Sequence, residues 1–87
     1  MNLYKISRNG QHIGNYVGSG KWDGINAALW VAGLVEPGHM TTPQGTRIVS
    51  DAQGVLELET AEGVHYRSEF VLPMAGDMNE GWQGRDS

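Results

Sequence analysis

The stretch VLELETAEGVHYRSEFVL, residues 55–72, alternates apolar and polar side chains on either side of Ala61-Glu62-Gly63. That is the pattern of two antiparallel strands with one face buried and the other in water. The length of the connection sets the register. A three-residue loop places Leu58 opposite Tyr66, Glu57 opposite Arg67 and Glu59 opposite His65, whereas a two-residue loop places Leu58 against Arg67. The first choice pairs like with like, so 55–60 and 64–72 are predicted as strands. Leu56, Leu58, Val64, Tyr66, Phe70 and Leu72 then face inward, and Glu57, Glu59, His65, Arg67 and Glu69 face water. A third strand over 46–50 joins them through Asp51-Ala52-Gln53-Gly54 to complete a meander.

Upstream, 3–7 and 12–17 are strand-like runs flanking Asn9-Gly10, the dipeptide best suited to the positive φ angles of a type I′ hairpin turn. Ile6 is expected opposite Ile13 on the core face with Tyr4 and Val17, while Lys5, Ser7 and His12 turn away. After Gly18-Ser19-Gly20 the chain is rich in Ala, Leu and Trp and free of proline from 21 to 36, which predicts a helix. Ser19 or Asp23 is the expected acceptor for its first amides, and Pro37-Gly38 the expected stop. The order ββαβββ predicts a small single α+β domain over 1–72, an antiparallel sheet with one helix packed on one face, followed by a Gly-rich C-terminal tail over 73–87. Whether the first hairpin and the meander share a sheet is left open by the pattern.

Composition narrows the function. Ten Asp+Glu against six Lys+Arg give a net charge of −4, which opposes a phosphate backbone and argues against direct nucleic-acid binding. The longest nearly continuous apolar run, 27–35, is too short to span a bilayer, and the first residues do not read as a leader, so a cytoplasmic protein complete as written is expected. The absence of cysteine removes disulfides and thiolate metal sites. His12, His39 and His65 stand without a second ligand at helical or strand spacing, so no metal and no cofactor are expected.

Val17-Gly18-Ser19-Gly20-Lys21-Trp22 has the outline of a phosphate-binding loop. It has Asn15 where that pattern requires glycine and Trp22 where it requires Ser or Thr. A corner glycine pair is the simpler reading. No nucleophile and base stand together, and a non-enzymatic protein is expected.

The helix is the most informative element. At 100° per residue Trp22, Ile25, Leu29, Ala32 and Gly33 form a stripe predicted to meet the sheet, and Ala27, Trp30, Val31 and Leu34 form a second apolar side. That side is covered by the tail through Met78 and Trp82, by a second copy of the chain, or by another protein, with Trp30 as the natural anchor. On the meander's outer face, Glu57, Glu59 and Glu69 are the side a basic partner would meet. These features predict a protein-binding module that occupies a surface of a larger protein or complex. The small acidic inhibitors that bacteriophages direct at host enzymes or defence complexes, anti-CRISPR proteins among them, are similar in general layout, which places such a protein in the host cytoplasm. A homo-oligomeric accessory protein is the alternative. A small-molecule or catalytic role between helix and sheet, using Tyr4, Tyr16, His12 or Lys21, is the third.

Overall fold

A computed structural model describes residues 1–36, 42–74 and 80–84. Strands β1 (Asn2–Arg8) and β2 (Gln11–Gly18) form the N-terminal hairpin, followed by helix α1 (Lys21–Val31). Strands β3 (Arg47–Ala52), β4 (Val55–Glu59) and β5 (His65–Pro73) form the meander, and β6 (Gly81–Gly84) closes the order. All six strands belong to one antiparallel sheet ordered β3-β4-β5-β1-β2-β6, because β1 pairs with β5 and joins hairpin to meander.

The meander takes the register that its loop length predicts: Leu58 faces Tyr66, Glu57 faces Arg67 and Glu59 faces His65. Thr60 and Val64 close the loop through the Thr60 amide, which donates to the Val64 carbonyl at 2.9 Å. Gly63, at φ 84°, supplies the left-handed step such a loop requires. In the first hairpin Asn9 and Gly10 take φ 50° and 82°, as the type I′ turn demands. The Asn9 side chain also accepts the His65 amide at 2.9 Å, pinning the hairpin tip to the start of β5.

The hairpin register differs from expectation beyond its first two pairs. A bulge shifts it, so that Ile6 faces Gly14 instead of Ile13. Trp82 of β6 lies over Gly14, where a Cβ would stand 2.5 Å from its ring. A residue with a side chain does not fit at that point, and Ile13 packs beside the core half-buried. Residues 81–84, read from the sequence as tail, therefore form an edge strand on β2, with Trp82 opposite Tyr16.

The core is Tyr4, Ile6, Ile25, Ala28, Leu29, Leu56, Leu58 and Tyr66, with Ile13, Tyr16, Val35, Val64 and Trp82 packed at its margin. Each large aliphatic group withdrawn from water here contributes about 1.5–3 kcal/mol before conformational entropy is charged against it. Helix and sheet approach closely at Gly24, where a Cβ would sit 2.8 Å from both Ile6 Cδ1 and Ser68 Oγ. Three predicted core-face positions of the strands lie outside it. Phe70 and Leu72 are exposed, because β5 runs past β4 and pairs there with β1 alone, across a second bulge and beyond the helix. Val17 is buried, but outside the main cluster.

Candidate functional site

The helix start has no side-chain cap. Gly20 is the N-cap, and the Ser19 hydroxyl donates to the Asp23 carboxylate at 2.9 Å instead of either group receiving a helix amide. Lys21, the lysine of the segment that outlines a phosphate-binding loop, points across to the β3–β4 turn. Its ammonium pairs with Asp51 and donates to the carbonyls of Ala52 at 2.6 Å and Val55 at 3.3 Å. These three acceptors match the three protons of an ammonium, so the lysine acts as a clip between helix and meander.

The helix end decides which apolar residues reach the surface. Gly33 adopts φ 78°, the Leu34 amide donates to Leu29 O at 2.9 Å and the Gly33 amide to Trp30 O at 2.9 Å. This is a Schellman stop with Gly33 at the C′ position. The helix therefore finishes at Val31, short of the predicted 36, since residue 33 adopts a left-handed backbone that a helix cannot continue through.

Two consequences follow for the predicted stripe. Ala32 and Gly33 fall beyond the helix and are exposed, and Trp22, in the first turn, is exposed as well. The face against the sheet is Gly24, Ile25, Ala28 and Leu29, with Ala27 also buried at 8% exposure. Trp30, Val31 and Leu34 stand out at 48%, 56% and 43% exposure, while Val35 folds back against the core. Trp82 of the tail packs at the core margin, and Met78 lies outside the described residues.

Across the sheet, the outer face of the meander is a ladder of opposite charges. Arg47 holds Glu59 through Nε at 3.0 Å and Nη2 at 2.8 Å. Arg67 lies between Glu57, 3.5 Å away, and Glu69, 3.4 Å away, and His65 approaches Glu57 at 3.9 Å. Glu57, Glu59 and Glu69 are thus each matched by a cation of the same chain, and exposed pairs of this kind contribute about 0–1 kcal/mol each.

Among the described residues no group of three or more His, Asp or Glu side chains converges as a metal site requires. His12 Nε2 lies 2.9 Å from both Gly14 O and Asn15 Oδ1, and His39 lies outside the described residues. No helix among the described residues is long and apolar enough to cross a membrane.

Between the start of α1, the β3–β4 turn and the sheet lies an open cleft of about 480 Å³, lined by Tyr4, Gly20, Lys21, Gln53, Gly54 and Phe70. Of the four residues suggested for a helix–sheet pocket, Tyr4 and Lys21 line it, and Tyr16 and His12 do not. Tyr16 lies nearer the Asp23 side of the helix. Its phenol is pushed above the usual value of 10.0 by burial first, then by the carboxylates of Asp23 and Glu80.

The sequence missed both Phe70 as an exposed ring and Trp82 as a packed one, since each outcome depends on where another element ends. The alternation of β5 gives way to three consecutive apolar residues at Phe70-Val71-Leu72, where Val71 forms the bulge opposite β1, but that run does not by itself say which of the three faces water. Comparison with protein-family models, with curated proteins and with solved structures gave no match to this chain.

Proposed function

We propose that the protein is a non-enzymatic binding module that docks on a partner protein through Trp30, Val31 and Leu34. One observation carries the reading. The core beneath α1 is complete without these side chains, yet three large apolar groups crowd a single turn at the helix end and stay exposed. Tryptophan is among the residue types that most often dominate an interface, because it buries a large rigid area at small entropic cost. The ladder of Glu57, Glu59 and Glu69 supports docking less, because its charge is already balanced within the chain. A module of this size acts by covering a surface, the mode of a stoichiometric inhibitor, and the bacteriophage inhibitor is the specific form we propose for it.

The test compares wild type with Trp30→Asp in affinity capture from host lysate, followed by calorimetry with the purified captured protein. The variant is expected to fold with stability within about 0.5 kcal/mol of wild type, as for an exposed site. It should lose about 2 kcal/mol or more of binding free energy, roughly 30-fold in Kd. Undiminished binding by the folded variant, or a change in the protein's own mass by sedimentation, removes the partner reading; the second result assigns the patch to self-association.

A further inference from the structure

We infer that the cleft at the start of α1 is a binding site for a small uncharged aromatic molecule of one or two rings. Its walls are fastened to one another without filling the space between them. Lys21 ties the helix to the β3–β4 turn through Asp51 and Ala52 O, and the Phe70 amide donates to Gly54 O at 2.7 Å, tying that turn to β5. Two of the six lining residues are glycines, so the walls carry no side chains at those points, and the volume of about 480 Å³ falls in the range of small-ligand sites.

The chemistry of the lining selects the ligand. Tyr4 and Phe70, both lining the cleft, meet edge to face, centroids 6.1 Å apart at 73°, and Phe70 remains 40% exposed. An added ring extends such an array by presenting edge to face or face to edge. Among the described residues Lys21 is the only lining cation; its three protons are engaged and its charge is matched by Asp51, so an anion gains nothing there without breaking that clip. Gln53 at the turn supplies an amide able to pair with one N–H or O–H of the guest. A ring with a single polar handle, as in indole or phenol, fits these terms, and an aromatic carboxylate does not.

The experiment is an amide-resolved NMR titration of the ¹⁵N-labelled full chain with indole, with benzoate and cyclohexanol as parallel probes. Indole is expected to give saturable shifts on Gly20, Lys21, Gln53, Gly54 and Phe70 with Kd about millimolar or tighter, as a fragment of that size allows. Benzoate and cyclohexanol should bind several-fold more weakly, and Phe70→Ala should weaken indole about tenfold. If Phe70→Ala does not fold, Gly20→Leu replaces it. Gly20 lines the cleft, has an extended backbone at φ −160°, and its Cβ would meet only Asp23 Oδ2, 4.0 Å away, so a side chain can start there without a clash and takes up space at the cleft. Shifts centred on Trp30 and Leu34, no saturation, benzoate binding as tightly as indole, or unchanged affinity in the folded variant would each overturn the assignment.

Discussion

Replacing Gly24 with alanine sets two well-measured effects against each other. A glycine inside a helix costs about 1 kcal/mol relative to alanine, so on propensity alone Gly24→Ala stabilises. The new Cβ would lie 2.8 Å from Ile6 Cδ1 and 2.8 Å from Ser68 Oγ, both on fully buried side chains. Both neighbours are side-chain ends, but each is fully buried, so making room means repacking the core, and an extra carbon there costs about 1–3 kcal/mol. Packing wins here, and the net expectation is a loss of about 1–2 kcal/mol. For a chain of this size that corresponds to a fall in Tm of roughly 5–15 °C. Urea denaturation followed by far-UV circular dichroism measures it, with unchanged m confirming that the folded state stays compact.

Ser68→Ala supplies the control, because Ser68 Oγ is buried without a hydrogen-bond partner and its removal relieves both that penalty and part of the clash. The double variant should recover at least about 0.5 kcal/mol more than additivity allows. A Gly24→Ala protein as stable as wild type, or more so, refutes the claim that contact distance between helix and sheet is limiting at this point.

Two further outcomes follow from the helix end and from Tyr16. Gly33→Ala, in open space but at φ 78°, should cost about 1 kcal/mol through backbone strain alone, and a thermal melt within error of wild type would remove Gly33 as the helix stop. Tyr16 has its folded pKa raised, so its contribution is fully present below the unfolded value of about 10 and is lost as pH rises through the folded value. Wild type should therefore lose stability more steeply than Tyr16→Phe between pH 8 and about 11, read from urea midpoints. Parallel slopes would show that burial and the Asp23 and Glu80 carboxylates do not act on that phenol.

Much of the fold was legible because short-range rules set it. The 61–63 connection and the parity of Leu58 and Tyr66 determine the β4–β5 register, and Asn9-Gly10 determines the hairpin turn. The candidate site was legible in part. Trp30, Val31 and Leu34 were readable as apolar residues off the sheet-facing side, while Ala27, assigned to the same side, is buried. The difference comes from helical phase: the apolar stripe read from the sequence runs through Ala32 and Gly33, but the helix ends before them, and its buried face holds Gly24, Ile25, Ala28 and Leu29.

By itself the sequence determined which segments pair locally and which faces are apolar, since turn chemistry and two-residue periodicity act between neighbours along the chain. Only the tertiary structure decided that β1 joins β5 into one sheet, that Trp82 docks on Gly14, and that Phe70 opens onto a cleft. Each of these rests on contact between residues far apart in sequence, and whether such a contact forms depends on volume and on where a third element stops, quantities that no local pattern encodes.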